Sequence, residues 1–315
     1  GYIVQAIANN FAPLLFVNFQ TEYDIPLAKI TLLITINFLI QLGVDLVSAW
    51  VLDKIGYRAG VIFAHVMSAA GLIMLTILPE AFGDPYVGIL ISVAVYAIGG
   101  GLLEVLISPI IEACPTDNKE SAMSLLHSFY CWGHVGVVLI STAFFALAGI
   151  GNWKILALFW ALVPMLNGIF FMRVKIYDLN ETSDEGLSIK ELVKKKIFWI
   201  FMLMMVCSGA SEQAVSQWAS TFAEEGLGVT KAVGDLAGPM SFAVMMGLSR
   251  FIFGKYGEKL NLDRFMKFSC VLCVASYLMI SLSSSAVLGL IGCALTGFAV
   301  GIMWPGTYSK SAVAI

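Results

Sequence analysis

Charged residues are scarce in this sequence. Asp, Glu, Lys and Arg make up 12% of its 315 residues, whereas 59% of the residues are hydrophobic. A soluble domain carries about 25% charged residues, so this chain has too little charge to cover a water-exposed surface. Its formal net charge of −3 does not suit a polyanionic partner, and we expect no nucleic-acid binding. The composition therefore predicts an integral membrane protein.

Residue patterns that carry enzymatic or metal chemistry are also lacking. The three histidines form no metal-binding box, and no nucleophile–base motif stands out, so we expect no enzyme, no metal site and no cofactor. The six cysteines lie in or beside apolar segments. The pair Cys270 and Cys273 has the spacing of a metal motif, but it falls inside such a segment, where small packing residues are expected.

Long apolar runs are what the sequence has in quantity. A membrane-spanning helix needs about 20 mostly apolar residues, and turn-forming sequences such as "TEYDIP" and "PEAFGDP" separate the runs. Ten spans are predicted, at residues 2–20, 29–51, 59–79, 86–113, 121–148, 153–173, 197–222, 231–253, 264–283 and 286–308. The fold class is therefore all-α and membrane-spanning.

One long polar connection divides these spans. We predict an N-terminal six-helix bundle at 1–173, a cytoplasmic linker at 174–196 and a C-terminal bundle of four helices at 197–315. The sequence "VLDKIG" at 51–56 is echoed by "IFGKYG" at 252–257, which indicates a repeat of the first bundle. A complete repeat needs two more helices, so we expect helices 11 and 12 to be missing.

The distribution of positive charge predicts the orientation. Of the 18 Lys and Arg residues, all but Lys29, Lys154 and Lys231 fall on one side if the spans alternate. Positive charge concentrates in cytoplasmic connections. We therefore expect a cytoplasmic N-terminus.

The connection between the second and third spans carries a known pattern. Ala49-x-x-x-Asp53-Lys54-x-Gly56-x-Arg58 resembles the G-x-x-x-D-R-x-G-R signature of the major facilitator superfamily, with alanine and lysine at two positions. The resemblance implies two pseudo-repeat six-helix bundles that alternate access to a central site. It also implies gating roles for this turn and its echo. Asp45 lies nearer the cytoplasmic end of the second span, where we predict a gating role, with solute contact as the alternative. The predicted gating residues are Asp45, Asp53, Lys54, Gly56, Arg58, Arg250, Lys255 and Gly257.

A closer resemblance is to the bacterial fucose permease group of that superfamily, whose members are sugar:proton symporters. Segments similar to that group include "AIANNFAPLLFVNFQ" at 6–20, "GGGLLEVLISPII" at 99–111, "LLHSFYCWG" at 125–133 and "MWPGTYS" at 303–309. The resemblance assigns proton coupling to Glu104. The group's aspartate on the first helix is replaced by Pro13, and Ser124 and His127 replace an amide-bearing pair. These departures imply a different sugar.

Glu104 is a carboxylate within an apolar run, where a charged residue at the bilayer centre costs about 2.5–3.5 kcal/mol. Helical spacing places Gly100, Gly101 and Ser108 on the same face, and small residues leave room beside the carboxylate. Such a carboxylate can take up and release a proton as its access to water changes. The alternative is a glutamate held by a packing partner. No Lys or Arg falls at mid-depth in any span, so we expect no buried ion pair.

The seventh span repeats this design with Glu212, which we predict as a second proton-coupling residue; a structural role is the alternative. Other polar side chains within the spans are predicted to bind the solute, because paired donors and acceptors suit hydroxyl groups. Helix packing is the alternative for each of them. These residues are Asn9, Asn10, Gln41, His127, Tyr130, Gln213, Gln217 and Trp304.

The sequence thus predicts a secondary active transporter in a bacterial inner membrane, monomeric, moving a small, neutral, sugar-like solute with protons. No fixed cation is expected in the cavity, which favours a neutral solute over a carboxylate. A proton-antiport exporter of drugs or metabolites is the alternative in the same class. A non-transporting membrane sensor is the alternative in a different class.

Overall fold

The computed structural model describes residues 1–115, 119–177, 189–256, 260–283, 285 and 286–314. Within these ranges only the backbone is described at residues 49, 50, 53, 119–125, 189, 190, 309, 312 and 313. Gly257 lies outside the described residues, as do residues 178–188 of the predicted linker. The predicted gating role of the Asp53 side chain also falls outside them.

All regular structure in the described part of the chain is helical. The helices are α1 Tyr2–Asn10, α2 Phe16–Tyr23, α3 Leu27–Ile55, α4 Tyr57–Ala81, α5 Pro85–Glu112, α6 Lys119–Ala148, α7 Trp153–Arg173, α8 Ile189–Lys194, α9 Lys196–Thr221, α10 Lys231–Asp235, α11 Ser241–Tyr256, α12 Leu262–Leu282, α13 Ala286–Gly301 and α14 Met303–Ala314. Within the described residues they supply ten stretches long and apolar enough to cross a membrane, which confirms the predicted spans.

Two of the ten predicted spans are broken rather than continuous. The first changes to a 3₁₀ turn at Ala12–Leu15, which contains Pro13. The last is interrupted at Ile302, between α13 and α14. Proline has no backbone N–H to donate to the carbonyl four residues earlier. Pro305 accordingly leaves the Gly301 carbonyl without its usual helical donor.

Two π-helical turns flank the short helix α10, at Phe222–Gly226 and Leu236–Met240. Each inserts a wider turn where the predicted seventh and eighth spans approach their shared connection. Such turns are rare and often accompany functional sites. The short helix α8 lies in the last part of the predicted linker, directly before α9.

The chain forms two compact units, Gly1–Leu179 and Asn180–Ile315. Glycines allow close helix packing within each. A Cβ atom on Gly88 of α5 would lie 2.3 Å from the backbone of Leu78 in α4, and one on Gly297 of α13 would lie 2.1 Å from the Phe242 carbonyl oxygen in α11. Small residues at helix crossings are typical of membrane proteins, where close backbone approach replaces the hydrophobic driving force.

Large apolar side chains are exposed along the outer helices. On α7 they include Leu158, Leu162, Leu166 and Phe170, and on α12 Val271, Val274 and Leu278. Soluble monomers rarely expose contiguous apolar surface on this scale. Together with the ten stretches of membrane length, these faces identify a multi-pass membrane protein.

Candidate functional site

The polar centre of the first unit is organised around α1. Gln5 Nε2 donates to Oε2 of Glu104 at 3.0 Å, and the Tyr2 hydroxyl lies 2.7 Å from Oγ of Ser108, one turn further along α5. Gln5 is buried, whereas the Glu104 side chain is exposed. The carboxylate therefore accepts a hydrogen bond from an amide on α1 while its side chain remains accessible.

Asn9 and Gln41 connect α1 to α3. Gln41 Nε2 donates to Oδ1 of Asn9 at 2.9 Å, and both amides are buried. Gly100 of α5 faces this pair, and a Cβ there would lie 3.7 Å from Gln41 Nε2. The two amides are hydrogen-bonded to each other in this structure, which the helix-packing alternative also predicts.

Asn10 and Tyr2 extend the same set to α6. Asn10 Nδ2 donates to the Tyr130 hydroxyl at 3.3 Å and to the Ala6 carbonyl at 2.9 Å. The rings of Tyr2 and His127 are 5.2 Å apart between centroids. The structure thus brings together around α1 all the predicted solute-binding residues of the first unit and Glu104.

Two members of this cluster were not among the predicted site residues. Gln5 is one helical turn before Asn9, so the spacing of amides along the first span could have found it. Tyr2 has no signal of its own in the sequence, because its role depends on the contact of α1 with α5.

Asp45 lies one turn beyond Gln41 on α3 and is half-buried. Its Oδ1 is buried without a hydrogen-bond partner among the described residues. Ser48, on the same stripe, donates to the backbone carbonyls of Val44 and Asp45. The gating role predicted for Asp45 remains a prediction.

The turn between α3 and α4 is built on Gly56, which has a φ of 80° that L side chains rarely adopt. Arg58, just inside α4, donates to the last carbonyls of α7: Nη1 to Phe171 at 2.7 Å and Met172 at 3.0 Å, and Nη2 to Val174 at 2.7 Å. The guanidinium therefore caps a neighbouring helix. Lys54 is exposed.

The second unit contains the ion pair that the sequence did not lead us to expect. Arg250 Nη2 lies 3.6 Å from Oε2 of Glu212, with side-chain exposures of 14% and 10%. The expectation of no buried ion pair was wrong, because Arg250 stands 6 residues before the end of α11 and reaches inward to α9. Its Nε also donates to the Gly301 carbonyl at 3.2 Å.

The remaining predicted residues of the second unit are more dispersed. Gln217 Nε2 lies 3.4 Å from Oε1 of Gln213, one turn away on α9. The Trp304 ring stacks on Tyr308 within α14, with centroids 6.2 Å apart. Lys255 is exposed, with Nζ 5.4 Å from the Tyr256 ring centroid.

A second charged cluster lies near the end of α9. Lys231 Nζ is 3.0 Å from Oδ1 of Asp235 and 3.6 Å from Oε2 of Glu224, and it donates to the Ser220 hydroxyl at 3.1 Å. The Ser220 hydroxyl also bonds Asp235. None of these residues was predicted as a site residue, although the i, i+4 spacing of Lys231 and Asp235 is a signal for a pair.

The chain matches the family model described as Major Facilitator Superfamily over residues 1–313. It belongs to this superfamily of transporters. No curated protein sequence gives a significant match. The predicted family and its all-helical fold are confirmed.

Solved structures of superfamily members share the fold. The transporter FucP in its outward conformation is 17% identical, with a TM-score of 0.69, covering 98% of this chain and 81% of its own. A D-xylose–proton symporter is 12% identical, with a TM-score of 0.73 and coverages of 98% and 78%. The xylose transporter XylE from E. coli, partially occluded and inward open, is 11% identical, with a TM-score of 0.79 and coverages of 99% and 82%.

Proposed function

We propose that this chain is a secondary active transporter that moves a small, neutral, sugar-like solute by alternating access and couples that movement to protons through Glu104. Two observations support the proposal: the cluster around α1, and the similarity to solved structures that include a fucose:proton and a D-xylose–proton symporter. Small-molecule solute and protons are the expected partners.

The Gln5–Glu104 contact carries the proposal. Glu104 is 8 residues from the end of α5, so it lies roughly 12 Å inside the helix end at 1.5 Å per residue. Its exposed side allows proton exchange with water, while the Gln5 amide stabilises the charged form. Moving the Gln5 amide away from the Glu104 carboxylate, or excluding water from it, would favour protonation of Glu104. The carboxylate thus has an environment in which its charge can follow conformational change.

The amides and hydroxyl around α1 supply the chemistry for a hydroxyl-rich solute. Asn10 and Tyr130 are joined by a long hydrogen bond of 3.3 Å, which a solute hydroxyl could replace with shorter ones. Asn9, Gln41 and His127 would contribute further donors and acceptors. Gln213, Gln217 and Trp304 are assigned the same role in the second unit.

A neutral solute is favoured by the charge balance of the described residues. Arg250, the cation that reaches inward, faces Glu212 rather than presenting an isolated positive charge. An anionic solute would have to compete with that carboxylate. We further propose a monomer in a bacterial inner membrane with its N-terminus in the cytoplasm, on the basis of the Lys and Arg distribution, and we keep the turn from Asp53 to Arg58 in a gating role.

The deciding experiment uses the protein in liposomes loaded with a pH-sensitive dye. A panel of monosaccharides is added outside, and the internal pH is followed for the wild type and for Glu104→Gln. We expect acidification with at least one sugar and its loss in the variant, because glutamine cannot carry the proton.

Glu112→Gln is the matched control, since it removes an exposed carboxylate from the same helix and should leave the signal unchanged. Acidification that persists in Glu104→Gln would refute the coupling role. Silence of the wild type with every sugar would reject the sugar-like solute and favour the exporter.

A further inference from the structure

Arg250 links three helices of the second unit. It stands on α11, faces Glu212 of α9 through Nη2, and donates from Nε to the Gly301 carbonyl at the end of α13. Few side chains can do this, because the guanidinium carries five N–H donors in a planar fork. Arg250 therefore touches both a predicted proton-coupling carboxylate and the break between α13 and α14.

The Gly301 carbonyl needs an outside donor because of Pro305. In a continuous helix the N–H of residue 305 would bond this carbonyl, and proline has none. The next bond of the helix, from the Gly306 N–H to the Ile302 carbonyl, is present at 2.8 Å. Arg250 thus supplies the N–H donor that Pro305 cannot provide, and its positive charge suits a helix C-terminus.

Close packing holds this arrangement together. A Cβ atom on Gly301 would lie 2.7 Å from Cβ of Ser249 and 2.8 Å from the Met246 carbonyl oxygen. The end of α13 therefore rests directly on α11, next to Arg250. The Gly301 carbonyl is therefore held close to the helix that carries its donor.

The contact with Glu212 is the looser of the two partnerships. At 3.6 Å it exceeds the 2.7–2.9 Å typical of a charged hydrogen bond. Both side chains are largely buried, so loss of charge on one changes the balance for the other strongly. Protonation of Glu212 would weaken this contact and favour the one with the Gly301 carbonyl.

The other charged and titratable groups on the helices around Arg250 have partners of their own or lie elsewhere on those helices. The cluster of Lys231, Asp235 and Glu224 surrounds Ser220, which is 8 residues, or roughly 12 Å, beyond Glu212 along α9. Lys310 of α14 pairs with Asp263. Tyr277 of α12 donates to the Ser211 carbonyl, Cys293 lies on α13, and Tyr308 stacks on Trp304.

We propose that Arg250 is a positioning residue that passes the charge state of Glu212 to the break between α13 and α14, and so to Trp304 beyond it. With Glu212 charged, the guanidinium is divided between carboxylate and carbonyl. With Glu212 neutral, it moves toward the carbonyl and changes the angle at which α14 leaves α13. This inference rests on the proposed proton coupling, with Glu212 as a second proton site.

Tryptophan fluorescence of the detergent-solubilised chain tests this without any solute. The contribution of Trp304 is the difference between the fluorescence titration of the wild type and that of Trp304→Phe. We expect a pH transition in the wild type, its loss in Glu212→Gln with the low-pH signal at every pH, and its loss in Arg250→Gln. Arg250→Lys should keep a transition with a shifted midpoint, because it retains the charge but not the fork.

Pro305→Ala separates this route from a purely structural role. It returns the N–H to the Gly301 carbonyl while Glu212 and Arg250 stay intact, and we expect it to remove the transition. A wild-type transition retained in Glu212→Gln or in Pro305→Ala would overturn the proposal, and these two variants decide the matter if Arg250→Gln does not fold. Glu104→Gln should titrate as the wild type, so failure of sugar-driven acidification and failure here are distinguishable.

Discussion

Lys231 and Asp235 form an ion pair one helical turn apart on α10, with Nζ 3.0 Å from Oδ1 and the carboxylate fully buried. The Ser220 hydroxyl of α9 bonds both members of the pair. The pair therefore connects the end of the seventh span to the start of the eighth. It lies between two π-helical turns. A buried carboxylate depends on its cation, because an unpaired charge is costly away from water.

We expect Lys231→Met to destabilise the protein by about 3–5 kcal/mol, the range for breaking a buried pair. The double variant Lys231→Met/Asp235→Asn should recover part of that loss, since the fully buried carboxylate is then neutral, whereas Glu224 still lacks its cation. Thermal unfolding in detergent gives the comparison. Lys29→Met is the control, because its pair with Asp84 is exposed and should contribute only about 0–1 kcal/mol. Equal losses in the single and double variants would contradict this account.

Arg58→Lys should loosen the end of α7. The guanidinium satisfies three carbonyls at once, whereas a lysine ammonium lacks the planar fork. We expect faster hydrogen–deuterium exchange in peptides covering the last turn of α7, and a stability loss of about 1 kcal/mol. Arg173→Gln, which removes an exposed charge from the same turn, should exchange like the wild type. Unchanged exchange in Arg58→Lys would refute the capping role.

Much of the fold was predictable because the membrane imposes length and apolarity on every span. The breaks in the first span and after α13 lie beside Pro13 and Pro305, but proline alone does not predict a break, because α4, α5 and α7 continue through Pro79, Pro109 and Pro164. The π-helical turns beside α10 were not predicted, because they have no common sequence signal: one contains Pro239 and the other contains no proline.

The candidate site also has a part that could be predicted from the sequence and a part that could not. Helical spacing found Glu104, Asn9 and Gln41, since residues that share a helix face can be read from one segment. Their partners Gln5 and Tyr2 depend on how α1 meets α5. The Glu212–Arg250 pair escaped prediction because depth was judged from each span alone. Arg250 stands near the end of α11, yet its long side chain places the guanidinium beside Glu212 of α9.

Gly297→Ala should be among the most damaging small substitutions. Its Cβ would lie 2.1 Å from the carbonyl oxygen and 2.8 Å from the carbonyl carbon of Phe242. Because those atoms are backbone, α11 and α13 must separate, and we expect a loss of about 1–3 kcal/mol in thermal unfolding. Gly136→Ala is the matched control: nothing lies within 4 Å of its added Cβ, and a helix interior gains about 0.5–1 kcal/mol from alanine. Similar effects of the two would show that the α11–α13 contact is looser than described.

The proposed orientation predicts which thiols are reachable from outside the cell. In a cysteine-free background, Gly151→Cys should react with a membrane-impermeant maleimide on intact cells, since it lies in the short connection before α7, is exposed and has open space for a Cβ. Lys175→Cys, exposed just after α7, should react only after permeabilisation. These two positions flank a single span, so they must lie on opposite sides. The reverse labelling pattern would invert the topology and move Arg58 and the end of α7 to the outer face, where a cytoplasmic gate is impossible. The predicted pattern would place that gate on the side where positive charge concentrates.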